Sequence, residues 1–293
     1  MEDLIVVPGS SNTPLAYRLS KELNTSLASV EIKRFPDGEK YVRILDEVSG
    51  KRAIILQSAA LKPDEYLVET LLMADALNDL GAKDVILALA YFPYARQDER
   101  FKPGEAISLA TVGKLLRSVG VNKLITVDAH RHRVMDFESI FGGSVVDVSV
   151  MPHLAKHALE TGLISKEAVV IGPDAEAEGW AKLAADAIDA PGYAALTKRR
   201  ISPTDVEVTT TRPLKVKEVL LVDDIISTGG TIVEAVKLLK GLRVEKIVVA
   251  CTHGLFVNDA LTRIYREGIK EVISSDTCLL YTSDAADEGL GVD

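Results

Sequence analysis

Residues 219–232 read VLLVDDIISTGGTI. An apolar run, 219–222, leads directly into two adjacent carboxylates, Asp223 and Asp224. Continuous apolar, β-branched residues mark a strand buried on both faces. Ser227-Thr228-Gly229-Gly230-Thr231 follows, and in TIVEAVKLLKGL the residues Ile232, Val233, Val236, Leu239 and Leu242 share one helical face. The stretch therefore predicts strand, glycine turn, helix. Glycines let the backbone approach a ligand closely, and free N–H groups at a helix N-terminus beside Ser and Thr hydroxyls form a phosphate cradle. Two carboxylates next to such a cradle could hold ribose hydroxyls or a Mg²⁺ ion. The plainer alternative is a helix capped by Ser227 or Thr228 beside a surface acidic pair. The direct joining of the Asp-Asp strand end to the turn favours the cradle.

Working outward, the same kind of run recurs at 4–7, 53–56, 85–90, 123–127, 168–172, 246–251 and 271–274. Helical patterns lie between these runs. In DEYLVETLLMADALNDLGA, Val68, Leu71, Leu72, Ala76 and Leu80 fall on one helical face, and Gly81 offers a C-terminal cap. Alternating strand and helix predicts an α/β fold of two tandem domains with mostly parallel sheets flanked by helices. The expected division is 1–147, 148–277 and an atypical tail, 278–293. Polar groups gather just after the strands: Pro8-Gly9-Ser10-Ser11-Asn12, Tyr91 through Asp98, Asp128-Ala129-His130, Pro173-Asp174-Ala175-Glu176 and Thr252-His253-Gly254. Ligands of open parallel sheets bind at that edge. Loop polarity alone does not explain Asp and His recurring immediately after strands.

Composition narrows the function. In 293 residues the net charge is −9, which argues against general nucleic-acid or anionic-membrane binding but allows a local basic pocket. The aromatic share is 5%, so the core rests on Val, Ile, Leu and Ala. Two cysteines, Cys251 and Cys278, are too few for a disulfide framework, and a cytoplasmic location is expected. No apolar run approaches the roughly 18 residues of a membrane helix, and the first residues lack the basic start of a signal peptide.

The 219–232 motif resembles the 5-phosphoribosyl 1-pyrophosphate signature of the type I phosphoribosyltransferase fold. Other motifs separate transferases from synthetases. Phe35-Pro36-Asp37-Gly38-Glu39, read on its own as an Asp-Gly hairpin turn, resembles a motif of the ribose-phosphate pyrophosphokinases (phosphoribosyl pyrophosphate synthetases). Arg96-Gln97 within YFPYARQD, Asp128-Ala129-His130, Gly172-Pro173-Asp174-Ala175, and the Lys198-Arg199-Arg200 cluster match further motifs of that family in order. Each has a plainer reading: a surface ion pair of Arg96 with Asp98 or Glu99, a satisfied polar His130, an Asp174 cap, and a solvated basic loop. The matches span about residues 4–277, and the short loop chemistry with ISPTDVEV resembles archaeal-type members.

The resemblance implies that the C1 hydroxyl of ribose 5-phosphate attacks the β-phosphorus of ATP, with AMP leaving. It implies that Phe35, Asp37, Gly38, Glu39, Arg96, Gln97 and His130 serve ATP, the hairpin reaching the adenine bound by a neighbouring subunit. Asp223, Asp224, Ser227, Thr228, Gly229, Gly230 and Thr231 serve ribose 5-phosphate, and His130 and Asp174 serve Mg²⁺. Lys198 and Arg200 are the catalytic pair on a mobile loop. A homo-oligomer, at least a dimer, follows from the shared adenine site. A phosphoribosyltransferase and a non-catalytic homologue are the alternatives; the ATP-type motifs oppose the first, and Lys198 with Arg200 oppose the second. His132 has no assigned role, and His153 with His157 reads as surface or packing. The segment after Thr277 departs from the family, and its acidic end (284–293) is expected to be disordered or foreign.

Overall fold

The short β-branched runs form two six-stranded sheets, each in its own unit. The computed structural model describes residues 3–130, 137–200, 206–211 and 216–279, with the backbone alone at 198–200 and 206–210. Unit 1 takes in the residues up to Val148 and those from Asp276 onward; unit 2 is Ser149–Ser275. Among the described residues no helix is long and apolar enough to cross a membrane.

Unit 1 contains β1 (Leu4–Pro8), α1 (Thr13–Glu22), β2 (Ser26–Leu27), β3 (Val30–Arg34), β4 (Lys40–Ile44), β5 (Arg52–Gln57), α2 (Pro63–Asp79), β6 (Asp84–Leu89), α3 (Ser108–Ser118), β7 (Val121–Val127), α4 (Phe137–Phe141) and β8 (Ser144–Val148). Its sheet is parallel, in the order β2-β1-β5-β6-β7-β8, and β3 with β4 forms a separate antiparallel hairpin. The chain leaves β1 to one side and returns to β5 on the other, so the strand order reverses between β1 and β5. Such a reversal opens a crevice at the strand ends. The main core, with Met73, Leu77, Leu87, Leu109, Leu116 and Phe141, covers one face. The other face carries only a small cluster of Val6, Ala16 and Leu56.

The face of α2 that the periodicity picks out is not the one the unit buries. Glu69, Thr70, Met73, Ala74 and Leu77 are buried, whereas Val68, Leu72 and Leu80 are exposed. The helix carries two neighbouring stripes, and periodicity does not choose between them. Four hydrogen-bond donors waiting for Glu69 turn the helix toward the stripe that contains a carboxylate. Gly81 does end the helix, at φ +81°.

Unit 2 contains α5 (Met151–Glu160), β9 (Val169–Gly172), α6 (Glu178–Ala187), β10 (Tyr193–Arg200), β11 (Val206–Thr210), β12 (Glu218–Ile226), α7 (Gly230–Gly241), β13 (Lys246–Gly254), α8 (Ala260–Arg266) and β14 (Glu271–Ser274). The sheet order is β11-β10-β9-β12-β13-β14, parallel except for the β10–β11 pair. Here the order reverses between β9 and β12. Both faces are covered, one by the layer around Val236, Leu239 and Ile264, the other by that around Met151, Ala155 and Ala184. The loop expected at Leu196 through Arg200 is instead strand: β10 continues to Arg200, and Lys198 pairs with Val208 and Arg200 with Val206. The run Leu-Thr-Lys-Arg-Arg hides the strand, because it has neither the continuous apolar stretch of a buried parallel strand nor the apolar–polar alternation of a half-buried antiparallel one.

Candidate active site

In unit 2 the groups expected at a sugar phosphate gather where β9 and β12 part. β12 runs two residues beyond the carboxylate pair, with Asp223 opposite Cys251 and Ile225 opposite His253. The strand thus embeds both acids in the sheet instead of leaving them on a loop. Asp224 is buried and accepts the Ile225 N–H at 2.7 Å, and Asp223 accepts the Asp224 N–H at 3.1 Å. Burial first, and then the negative charges of Asp224 and Asp174, push the Asp223 carboxyl well above the usual carboxylate range. Three carboxylates therefore share one electrostatic neighbourhood, a cation-seeking arrangement.

The turn that follows is shaped by Gly229. It is the N-cap of α7 at φ +74°, a left-handed conformation that a Cβ disfavours, and no side chain caps the helix. The alternative of a Ser227 or Thr228 cap is thus not what the chain adopts. The first N–H groups of a 12-residue helix remain available to an anion. Arg263 of α8 donates to the Thr228 carbonyl at 3.2 Å and steadies the turn.

Across the strand reversal, Gly172 ends β9. A Cβ there would stand 2.8 Å from the Ala177 Cβ, so glycine lets the next loop fold back on the strand. Asp174 accepts the N–H groups of Glu176 and Ala177 at 3.0 and 3.2 Å, capping the 3₁₀ turn Ala175–Ala177 that leads into α6. The cap therefore exists, and it does not consume all the acceptor capacity of a carboxylate. A cavity of about 460 Å³ links this loop to the β10 arm and α7, lined among others by Asp174, Thr197, Thr231 and Glu234. Lys198 and Arg200 lie in the arm by backbone position; their side chains, like residues 201–205, lie outside the described part.

In unit 1 the hairpin turn carries Phe35, Asp37, Gly38 and Glu39, all exposed. Gly38 adopts φ +96°, and its N–H donates to the Phe35 carbonyl at 2.9 Å. Phe35 stacks edge-on against Tyr41, with ring centroids 5.8 Å apart. After β6 the exposed Arg96 makes no ion pair among the described residues, so the alternative of a surface bridge to Asp98 or Glu99 is not realised. Gln97 is held through Nε2 by Glu105 at 3.2 Å. After β7, Asp147 accepts the Ala129 N–H at 3.1 Å, which fixes the turn carrying the partly buried His130. His132 lies outside the described residues, and His153 and His157 are exposed on α5. Among the described residues no group of three or more His, Cys, Asp or Glu forms a ready-made metal cage.

Sequence reading did not single out Glu69, Lys40, Gln57 or Asp147. Glu69 is completely buried, accepting from Ser10 N and Oγ, both at 2.7 Å, from Gln57 Nε2 at 2.8 Å and from Lys40 Nζ at 2.5 Å. The available signal was a carboxylate embedded in the apolar stretch YLVETLLM, together with Gln57 ending an apolar strand.

Comparison with known proteins agrees with this geometry. Residues 4–120 match the family model for the N-terminal domain of ribose phosphate pyrophosphokinase, and residues 148–274 that for the phosphoribosyl transferase domain. The chain is 36% identical over 276 residues to ribose-phosphate pyrophosphokinase 1 of Archaeoglobus fulgidus, covering 94% of each chain. It is 39% identical over 276 residues to ribose-phosphate pyrophosphokinase of Methanothermobacter thermautotrophicus, covering 93% of each. The crystal structure of phosphoribosylpyrophosphate synthetase from Mycobacterium smegmatis superimposes with a TM-score of 0.85 at 31% identity, over 97% of this chain and 92% of that one. The chain, with its carboxylate-rich strand reversal and its uncapped α7, belongs to the ribose-phosphate pyrophosphokinase family.

Proposed function

We infer that the chain transfers the pyrophosphoryl group of ATP to the C1 hydroxyl of ribose 5-phosphate, giving 5-phosphoribosyl 1-pyrophosphate and AMP. The C1 oxygen bonds to the β-phosphorus, the bond from that phosphorus to the oxygen shared with the α-phosphate breaks, and the hydroxyl proton is released. The observation that carries this reading is the pairing, in one chain, of the Asp223-Asp224 strand and its glycine turn with the ATP-type hairpin and Arg96. A transferase of the same fold needs only the first.

The residue roles are those the family resemblance implies, and the chemistry of the groups suits them. Ser227, Thr228, Gly229, Gly230 and Thr231 hold the 5-phosphate through N–H and hydroxyl donors, and Asp223 and Asp224 take the ribose hydroxyls. Arg96 offers a planar fork suited to a polyphosphate, Gln97 assists it, and Phe35, Asp37, Gly38 and Glu39 receive adenine. Lys198 and Arg200, on a strand that pairs with β9 up to Gly172, just before the Asp174 loop, neutralise charge on the transferring group. His130 of unit 1 and Asp174 of unit 2 are the residues that the family resemblance would offer to Mg²⁺. The Asp174 side fits that ion: Asp174 and Asp224 bring carboxylate oxygens and negative charge to the neighbourhood of Asp223, and among the described residues the site falls short of a full cage, as suits a cation that keeps waters and substrate phosphates in its shell. When bound it supplies neutralisation of phosphate charge.

A homo-oligomer is supported by the open face of the unit 1 sheet. Ala88, Ile125 and Val146 lie side by side across β6, β7 and β8, and Val146 and Val148 are exposed. A cytoplasmic location accords with a chain of only two cysteines, Cys251 and Cys278, both buried.

The test is incubation with ATP, Mg²⁺ and ribose 5-phosphate, following AMP and 5-phosphoribosyl 1-pyrophosphate together. Equimolar appearance of both is expected. An intact ATP pool in the presence of the pentose phosphate would sink the reading. Sedimentation of the same protein should give a species of at least twice the chain mass.

A further inference from the structure

Both ends of the hairpin neck are tied to one helix. Arg34 and Lys40 are the last cross-strand pair before the turn. Arg34 pairs with Glu65, and Lys40 with Glu69, one helical turn further along α2. The two ties differ in kind. The Arg34–Glu65 side chains are 43% and 37% exposed, whereas Lys40 and Glu69 are 10% and 0% exposed. Exposed pairs contribute little, but a buried carboxylate that loses its cation is costly. The Lys40 ammonium also lies 5.5 Å from the centre of the Tyr66 ring, so its position is enclosed.

Glu69 reaches further than the hairpin. Its other donors, Ser10 N, Ser10 Oγ and Gln57 Nε2, belong to the ends of β1 and β5, where the unit 1 strand order reverses. Ser11 Oγ in turn contacts Gln57 Oε1 and accepts the Ser58 N–H at 2.7 Å. A Cβ on Gly9 would meet the Gln57 amide at 2.5 Å, so the loop is closed down on this cluster. Backbone N–H and hydroxyl donors at such a crevice ordinarily face a bound anion. In this unit the anion is the chain's own Glu69.

We propose that Glu69 is a positioning residue for ATP: a buried internal anion that occupies the unit 1 crevice and, through Lys40, holds the neck of the 35–39 hairpin in its binding pose. The proposal rests on the reading of that hairpin as an ATP contact. It assigns Glu69 and Lys40 no contact with substrate, and it predicts a defect specific to one of the two substrates.

The experiment measures steady-state AMP formation by the full chain, varying ATP and ribose 5-phosphate in turn, for Phe35→Ala, Lys40→Met, Lys40→Arg and Glu69→Gln. Methionine keeps the apolar stem of Lys40 and removes only the charge. The expected result is an ATP KM raised about tenfold in both Phe35→Ala and Lys40→Met, with the ribose 5-phosphate KM changed less than about threefold; tenfold corresponds to about 1.4 kcal/mol of lost binding. Lys40→Arg should recover most of the loss. Glu69→Gln should show the same substrate selectivity, together with faster amide hydrogen exchange at 35–39 and unchanged exchange in β6; these two readouts stand in should Lys40→Met fail to fold. If Phe35→Ala raises the ATP KM and Lys40→Met does not, the positioning role falls while the hairpin reading stands. If Phe35→Ala leaves the ATP KM unmoved, both fall. Equal changes in the two KM values for Lys40→Met would reduce Glu69 to a fold-stabilising group and overturn the proposal.

Discussion

Gly229 stands directly against Ile264: a Cβ at 229 would lie 3.0 Å from the Ile264 Cδ1 and 3.5 Å from the Ala260 Cβ. Helix α8 therefore packs onto the glycine turn and fixes the direction of the first N–H groups of α7. Two separate demands meet at this residue, a left-handed φ and the absence of a side chain.

Gly229→Ala should consequently damage both fold and site. The left-handed conformation costs an L-residue about 1–2 kcal/mol, and displacing Ile264 adds to that. A fall in Tm of about 4–8 °C is expected for a unit of this size. With the turn proposed as the 5-phosphate cradle, the KM for ribose 5-phosphate should rise by about tenfold or more while that for ATP changes little. Calorimetry and substrate titration check it; an unchanged ribose 5-phosphate KM would remove the turn from the phosphate site.

Lys198→Ala tests the cationic arm. Transition-state charge stabilisers are typically worth about 10²–10³ in kcat. The variant should lose that much turnover and still bind ATP, as judged by equilibrium binding of the nucleotide. Turnover within a few-fold of the parent would exclude the role assigned to Lys198.

How far the sequence could be read depended on where each element lies in its sheet. Central strands such as β13 are buried on both faces, so KIVVAC stands out as a continuous apolar run. The edge strand β8, SVVDV, alternates between exposed and half-buried residues, and β2 is two residues long; neither produces a run. The acids of the site were legible because they interrupt apolar strands abruptly. Glu69 was not, since its four donors come from Ser10, Lys40 and Gln57, scattered over three elements that only folding brings together. The buried face of α2 escapes periodicity for the same reason: a satisfied buried carboxylate behaves like a core residue, and apolar periodicity has no means of counting it.

Glu69 also predicts an acid limb of stability. Burial alone would raise its carboxyl, but hydrogen bonds from Lys40, Ser10 and Gln57 outweigh burial and hold it below its usual 4.5. The folded state therefore releases this proton more readily than the unfolded chain. Its stabilising contribution is complete above the unfolded value and fades as pH falls through the folded one. Glu69→Gln should be less stable than the parent at pH 7, and the difference should shrink below about pH 4.5. Urea midpoints from pH 3 to 7 check the trend; a gap that stays constant across that range would show that the charge of Glu69 does not drive it.

The return of the chain to unit 1 at Asp276 gives a chemical readout of its own. Asp276 pairs with Arg18, and its carbonyl accepts from Asn12 Nδ2 at 2.7 Å. Two residues on, Cys278 is buried, and burial pushes its thiol up to about 12 against the weaker pull of hydrogen bonds from Thr277 and Ser58. A free cysteine thiol ionises near 8.5, and only the thiolate alkylates, so at pH 8 Cys278 should react about three orders of magnitude more slowly than free cysteine. Arg18→Ala removes one anchor of the 276–278 segment and should accelerate its alkylation by iodoacetamide without affecting Cys251, which is buried in the unit 2 sheet. Peptide mapping distinguishes the two thiols. Rapid labelling of Cys278 in the unaltered protein would mean that the segment does not stay docked in solution, and the Arg18–Asp276 pair would then have nothing to hold.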